Sequence, residues 1–184
     1  MQKMFFTWEP ENNNSELLEE WIGNRFGVSP PEDFLMFIRS NGIGVSPIPN
    51  QFSGKIGMDQ LIIEEFYQVF PPEKSSSIQT QTSRAIDNER ISDDMIVFAY
   101  GAGSHLKFVL VVKGVNSGNV FAYMDGGVHI DDNQIRLSGD AVRLAFSFSN
   151  FINGLYADED SLEEWEDTMG YLPDEIKEKF GSGS

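Results

Sequence analysis

The sequence predicts an α+β domain, in which an antiparallel sheet is packed with N-terminal and C-terminal helices. Two helical patterns come first, several short strand-like runs follow, and another amphipathic helix comes after them. Such grouped elements, without a strict alternation of strands and helices, favour an antiparallel sheet over a parallel one. The length of 184 residues and the hydrophobic content of 40% fit one compact domain with a sizeable core.

The first helix is predicted over residues 15–26. Its apolar residues fall on one stripe at helical spacing, and acidic residues together with Arg25 lie opposite. The stripe consists of Leu17, Leu18, Trp21, Ile22 and Phe26. Gly27 stands where a left-handed cap would end this helix.

A second helix should follow Ser29 and Pro30. Pro31 is tolerated near a first turn, and the acidic Glu32-Asp33 pair favours the positive end of the helix dipole. The helix should end at Asn41-Gly42, because both residues accept a positive φ at little cost. Its core-facing residues are Phe34, Leu35, Phe37 and Ile38.

The middle of the chain is rich in turn-forming and polar residues. Residues 42–57 predict a loop with a short strand near Ile56. The pattern of residues 58–70 is ambiguous and fits a strand followed by a helix. Whatever its conformation, Pro71-Pro72 ends this segment. Residues 73–92 are polar, and we expect an exposed excursion there.

Three short runs enriched in Val, Phe and Tyr predict the main strands. They cover residues 95–100, 107–112 and 119–124. The Gly-rich segment 114–118, between the second and third runs, suits an antiparallel hairpin. Two edge strands are expected over residues 128–130 and 135–137. A helix is then predicted within residues 147–156, since apolar residues recur there at helical spacing and a serine is available as a cap.

The C-terminal part of the chain is strongly acidic. Residues 151–184 contain ten acidic and two basic residues, a net charge of −8 and half of the total of −16. We expect one α+β domain over residues 1–157 and an acidic helical extension over residues 158–180, with one or two short helices around Trp165 and Ile176. Residues 181–184 have the composition of a flexible linker.

Composition excludes several classes of function. The 29 acidic residues against 13 basic ones argue against binding to nucleic acid or to an anionic membrane, because phosphates require a basic surface. The absence of cysteine excludes a disulfide scaffold, a thiolate nucleophile and thiolate-bound metals. The longest apolar run, Phe108 to Val112, is far shorter than the roughly 20 residues that span a bilayer. Since the first ten residues also lack the features of a signal peptide, we expect a cytoplasmic protein.

Candidate catalytic patterns are weak. The Gly101-Ala102-Gly103 segment resembles the start of a dinucleotide-binding loop, but the third glycine is missing and a strand is expected to follow. The Asp93-Asp94 and Asp131-Asp132 pairs could serve as acid and base, yet aspartate is common in turns of this kind. His105 and His129 are too few for most histidine-based metal sites. We predict no catalytic residue, no metal and no cofactor, and only the scattered carboxylates and His129 leave a hydrolase possible.

An acidic field that contains aromatic residues is the remaining candidate. Trp165 stands among four acidic residues, and Tyr156 precedes them. The field is either a solvated helix face or a docking surface for a basic protein, because complementary potentials speed association and aromatic residues anchor interfaces. The predicted partner-binding residues are Asp125, Asp131, Asp132, Tyr156, Asp158, Glu159, Asp160, Glu163, Glu164, Trp165, Glu166 and Asp167.

Several segments share the pattern of a known family. Residues 17–28 form a helix with a Gly-containing link, and residues 31–42 add a Pro-Glu-Asp-Phe motif and a helix that closes on Asn-Gly. Residues 96–101 and 118–125 look like two core strands, and residues 145–152 are similar to a "Ser-Phe-x-x-Phe" helix. In this order the segments resemble the SMI1/KNR4, or SUKH, superfamily.

The resemblance implies an α+β fold and a function without catalysis. Bacterial members recur as immunity proteins that bind and block a cognate toxin, often a nuclease, and eukaryotic relatives are regulatory scaffolds. The signature residues then determine the fold: Trp21, Gly27, Pro31, Phe34, Phe37, Asn41, Gly42, Phe148 and Phe151. We therefore hypothesise an immunity protein whose acidic surface covers a basic toxin domain. The alternative is a regulatory scaffold that recognises client proteins through grooves or loops such as residues 73–92.

Overall fold

The structure is a computed structural model that describes residues 1–8, 15–41, 43–69, 76–101, 103 and 105–181. The helices are α1 (Ser15–Phe26), α2 (Glu32–Asn41), α3 (Ile78–Asp87), α4 (Phe148–Asn153), α5 (Glu159–Met169) and α6 (Asp174–Phe180). The strands are β1 (Phe5–Trp8), β2 (Val45–Ile48), β3 (Gln51–Ile56), β4 (Asp59–Ile62), β5 (Glu65–Phe66), β6 (Met95–Gly101), β7 (Leu106–Val111), β8 (Val120–Tyr123), β9 (Gly127–Asp131), β10 (Gln134–Ser138), β11 (Val142–Ala145) and β12 (Leu155–Tyr156). The predicted α+β class is confirmed. The signature residue Gly42 lies outside the described residues.

The main sheet has seven strands in the order β1-β2-β5-β6-β7-β8-β11, and every neighbouring pair is antiparallel. A second sheet has the order β12-β3-β4, and β9 pairs with β10 in a separate hairpin. The three predicted main strands are confirmed as β6, β7 and β8. The two strands expected over residues 128–130 and 135–137 are present as β9 and β10, but they pair with each other and do not form edges of the main sheet. Gly118, at the end of the predicted hairpin turn, has a φ of 93°.

The helices that carry regular apolar stripes are confirmed. The first helix covers the predicted residues, and Gly27 after it has the left-handed φ of 71°. The carbonyl of Pro31 accepts the first hydrogen bonds of α2, from the backbone of Phe34 and Leu35. Ser147 caps α4, because its side chain accepts a hydrogen bond from the backbone of Asn150.

Aromatic rings fill the centre of the domain between the main sheet and the helices. The ring of Phe98 in β6 lies 6.1 Å from that of Phe34, 5.4 Å from that of Phe148 and 5.7 Å from that of Phe151. Phe37 is also fully buried. Trp21 is half-buried and packs edge-on against Phe26, at the border of the core. The side-chain oxygen of Asn41 accepts a hydrogen bond from the backbone of Met4 and so ties α2 to the N-terminal segment.

The predicted loop at residues 42–57 is wrong over β2 and most of β3. In residues 58–70 the expected strand is confirmed as β4, but the helix expected after it is replaced by β5. The N-terminal strand β1 was not predicted either. Pro47 lies in β2 and Gly54 in β3, two residue types that are depleted in strands, so the local composition conceals elements that tertiary pairing stabilises.

The exposed excursion expected at residues 73–92 is wrong over residues 78–87, which form α3 against β6, and its first residues, 73–75, lie outside the described residues. Polar side chains lie on its buried face: Gln79 and Thr82 are both buried. The hydroxyl of Thr82 accepts a hydrogen bond from the backbone of Val97 at 3.0 Å. Ile78, Ala85 and Ile86 do repeat at helical spacing, but they are few in a largely polar segment, which conceals the helix in the sequence.

The C-terminal helices pack through a second, smaller apolar cluster. Its buried members are Ile48, Ala157, Trp165 and Ile176. Phe5 and Leu162 are among the half-buried side chains packed against it. The cluster joins α5 and α6 to β1 and β2, and the predicted short helices around Trp165 and Ile176 are confirmed.

Candidate protein-interaction surface

Helix α5 presents charge on one side and apolar residues on the other. Leu162, Trp165 and Met169 recur at helical spacing and belong to the second apolar cluster. The remaining positions carry six exposed acidic residues, which we call the acidic helix face: Glu159, Asp160, Glu163, Glu164, Glu166 and Asp167. Gly170 ends the helix with a left-handed φ of 75°.

The charge of the acidic helix face is not compensated within the described part of the chain. None of its six carboxylates forms an ion pair with a described residue. Glu163 has an acidic residue four positions before it and another four positions after it, and like charges at this spacing destabilise a helix. Glu166 and Asp167 lie in the last turn, where the dipole favours cations, and α5 has no basic residue there. These charges therefore repel one another in the isolated helix, and contact with a positively charged partner would reduce that repulsion.

Asp158 begins α5 as its cap. Its carboxylate accepts a hydrogen bond from the backbone of Ser161 at 3.0 Å and another from the Ser161 hydroxyl at 2.8 Å. Partial burial raises the pKa of the Asp158 carboxyl, but hydrogen bonds from Ser161 and Gln51 outweigh this and hold the pKa below its ordinary value. The group is therefore ionised at neutral pH, and the cap fixes where the acidic helix face begins.

The two predicted aromatic contacts have different positions. Trp165 is only 4% exposed, so its ring stabilises the packing of α5 and is not presented to a partner. Tyr156 in β12 is 37% exposed, and its Cα is paired with that of Gln51 in β3. Tyr156 is thus the aromatic side chain of this pair that a partner can contact.

The three predicted aspartates outside the C-terminal segment are exposed but belong to another part of the surface. Asp125 follows β8, and Asp131 and Asp132 lie at the turn between β9 and β10. Helix α5 contacts β1, and β9 contacts β8, five strands further along the sheet. At about 4.8 Å for each strand, this separation is roughly 24 Å. The structure therefore brings the α5 carboxylates together and leaves these aspartates elsewhere, with Asp125 before the start of β9 and Asp131 and Asp132 at its far end, where Asp131 also pairs with Arg136 at 3.3 Å.

A cavity of about 350 Å³ borders the acidic helix face. Its walls include Asn50, Ile48, Glu64, Glu164 and Trp165. The side-chain oxygen of Asn50 and the indole N–H of Trp165 are buried and have no hydrogen-bond partner among the described residues. The cavity thus presents two carboxylates and an amide oxygen to a donor-rich side chain, and one oxygen of Glu64 already accepts a hydrogen bond from the backbone of Gly103 at 2.9 Å. Sequence reasoning missed Asn50, which lies in the segment predicted as a loop, and Glu64, which lies in the segment 58–70 where a strand followed by a helix was expected.

The patterns considered for catalysis are separated in the structure. Strands β6 and β7 form an antiparallel pair, so the Gly101 segment connects two strands and does not open a helix. Burial raises the pKa of the Asp94 carboxyl, while Asp93 beside it is exposed. His129 lies in β9 opposite Arg136. Within the described ranges, no three side chains of the metal-binding types come together.

Comparison with protein-family models, with curated proteins and with solved structures found no match to this chain. Among the helices that the structure describes, none has the length and the apolar character needed to cross a membrane.

Proposed function

We propose that this protein is a non-enzymatic, cytoplasmic immunity protein that binds a basic toxin domain through the acidic helix face. The observation that carries the proposal is the set of six exposed carboxylates on α5, none of them in an ion pair with a described residue. A surface of this kind resembles a row of phosphates in charge, and proteins that cleave nucleic acids need basic surfaces to hold their substrates. Such a protein would block a toxin by covering its substrate-binding surface.

The packing of α5 supports a preorganised surface. Trp165 packs the apolar side of α5 into the second apolar cluster, and Asp158 caps the start of the helix, so the carboxylates are held on one rigid element. Preorganised groups lose less conformational entropy when a partner binds. Complementary charge then speeds association and discriminates against acidic partners.

The cavity beside α5 supports a more specific contact. An arginine or lysine side chain of the toxin would find Glu64, Glu164 and the side-chain oxygen of Asn50 as acceptors. We therefore propose that one basic side chain of the toxin enters this cavity while the acidic helix face contacts the surrounding surface.

The alternative of a regulatory scaffold has less support from the structure. That hypothesis relied on loops such as residues 73–92, and residues 78–87 form α3 packed against β6. A scaffold would have to use another groove. Its interface with a client would be largely apolar and insensitive to salt.

The proposal predicts a toxin gene beside the gene of this protein, and the toxin domain encoded there is the probe. Coexpression should rescue growth of cells that produce this domain. The triple variant Glu163→Gln, Glu166→Gln and Asp167→Asn should lose rescue and bind the purified domain at least tenfold more weakly, because it removes half of the acidic helix face.

A matched control carries Glu16→Gln, Glu20→Gln and Asp87→Asn, which change the net charge equally on α1 and α3. It should rescue growth as the wild type does. Equal rescue and equal binding by both triple variants would contradict the proposed surface, and catalytic turnover by the purified chain would contradict the proposed class of function.

A further inference from the structure

A second cavity, of about 270 Å³, lies between α3 and strands β6 to β8. Three cationic side chains and a histidine line it, namely Arg84, Arg90, Lys107 and His105, together with the amides Gln81 and Asn88. The whole chain has only 13 lysines and arginines against 29 acidic residues. Three of these 13 cations therefore meet at one small cavity, and chance placement on an acidic surface would scatter them.

Neutral groups hold two of the three cations, Lys107 and Arg90, in place. The ammonium group of Lys107 donates to the hydroxyl of Tyr67 at 2.6 Å and lies 5.2 Å from the centre of the Tyr67 ring. The guanidinium of Arg90 donates to the carbonyl oxygens of Asp125 at 2.9 Å and of Gly126 at 3.3 Å. These bonds fix the positions of the groups without neutralising them.

No carboxylate in the described part of the chain forms an ion pair with Arg84, Arg90 or Lys107. Glu65 interacts electrostatically with Tyr67, but its carboxylate accepts a hydrogen bond from the hydroxyl of Tyr100. Burial and the neighbouring Arg84 lower the pKa of Lys107. Like charges thus face one another at a half-buried site, an arrangement that an anion would stabilise.

One further polar group lines the same cavity. Tyr123 in β8 is only 5% exposed, and its hydroxyl forms no hydrogen bond with a described residue. Burial raises the pKa of Tyr123 to about 12, so the hydroxyl is a neutral donor at physiological pH. Ala85, Val97 and Met124 supply an apolar wall beside it.

We propose that the cavity between α3 and β6–β8 binds the phosphate group of a small phosphorylated compound, held by Arg84, Arg90 and Lys107. A phosphate dianion fits better than a carboxylate, because three cations and a hydroxyl supply donors for several oxygens and offset a charge near −2. The volume of about 270 Å³ admits a phosphate with a few further atoms, which the apolar wall would contact, and it does not admit a macromolecule. The site is separate from the acidic helix face and does not depend on the function proposed for that face.

The test titrates inorganic phosphate and, separately, ribose 5-phosphate into the ¹⁵N-labelled full chain, at an ionic strength kept constant with NaCl. Saturable shifts of backbone amide signals should appear at the residues around the cavity. Ribose 5-phosphate should bind more tightly, because its carbon atoms reach the apolar wall. Tighter binding of inorganic phosphate would overturn the organic part of the proposal.

Variants assign the binding to the cavity. Arg84→Gln removes an exposed charge without touching the core, and it should weaken the binding of both compounds about tenfold. The double variant R84Q/K107Q should abolish saturable binding, and the control K55Q/K113Q, on exposed lysines elsewhere, should leave it unchanged. Shifts that fail to saturate in the wild type, or saturable binding that R84Q leaves unchanged, would overturn the proposal.

Discussion

Replacing Trp165 by alanine should release α5 from the rest of the domain. The side chain is 4% exposed, and it is the largest buried residue of the second apolar cluster. A buried aromatic side chain removes about 150–250 Å² from water, which at about 25 cal/mol per Å² corresponds to roughly 4–6 kcal/mol. Since alanine retains a small part of this contact, we expect a loss of about 3–5 kcal/mol in the free energy that docks α5.

Phenylalanine at the same position is the matched control. Trp165→Phe keeps most of the apolar contact and removes an indole N–H that has no partner among the described residues. Because an unpaired buried donor costs about 1–3 kcal/mol, removing it offsets part of the lost contact. We expect Trp165→Phe to stay within about 1 kcal/mol of the wild type.

Amide hydrogen exchange measures the docking of α5 directly. In Trp165→Ala, amides of α5 and α6 should lose protection, while those of β6 in the main sheet should keep theirs. The toxin should also bind less tightly, because its contact surface is no longer held rigidly. Unchanged protection in α5, or equal damage by the alanine and phenylalanine variants, would refute the role of Trp165 in positioning the acidic helix face.

Three further predictions concern the fold. Gly101→Ala should destabilise the protein by about 2 kcal/mol or more in urea unfolding, since a Cβ there would lie 1.8 Å from the Ile62 carbonyl oxygen. In the control Gly23→Ala, in α1, the added Cβ meets nothing within 4 Å, and the protein should become more stable by about 0.5–1 kcal/mol. Phe98→Ala should cost about 3–5 kcal/mol in the same assay, because its ring contacts several core aromatics. Asp158→Ala should lower the free energy of unfolding by about 1 kcal/mol at pH 7, and Asp158→Asn should lower it much less, because asparagine can also cap a helix. The pKa of Asp158 in the folded protein lies below the ordinary value of 3.8, so the stabilisation that its carboxylate provides is fully present above pH 3.8. It should be lost as the pH falls through the pKa of the folded protein, and unfolding curves recorded between pH 2 and 7 would show this loss.

The parts of the fold that the sequence predicts well are those with dense apolar patterns. Helix α1 has apolar residues at helical spacing, strands β6 to β8 are short apolar runs buried along almost their whole length, and each follows the sequence closely. Strand β2 contains a proline, and α3 repeats only a few apolar residues within a largely polar segment, so both elements are easily missed. In both cases contacts with residues distant in the chain decide the conformation, and the local sequence does not identify those residues.

The candidate surface was predictable in part. The acidic run of residues 158–167 is visible in the sequence, but the burial of Trp165 follows only from its spacing with Leu162 and Met169. The cavities were not predictable, because Asn50, Glu64 and Glu164 are far apart in the chain and meet only through tertiary packing. The same holds for Arg84, Arg90 and Lys107, which line the cavity between α3 and strands β6 to β8.

The dissociation constant of the complex with the basic toxin domain, measured at 0.1 M and 1 M NaCl, is the most direct test of the proposed function. The Debye length falls from about 10 Å to about 3 Å between these concentrations, so an interface built on α5 carboxylates should weaken at least tenfold. Binding of the Glu163→Gln, Glu166→Gln and Asp167→Asn variant should depend much less on salt. A dissociation constant that stays constant across this range in the wild type would contradict an electrostatic mode of binding.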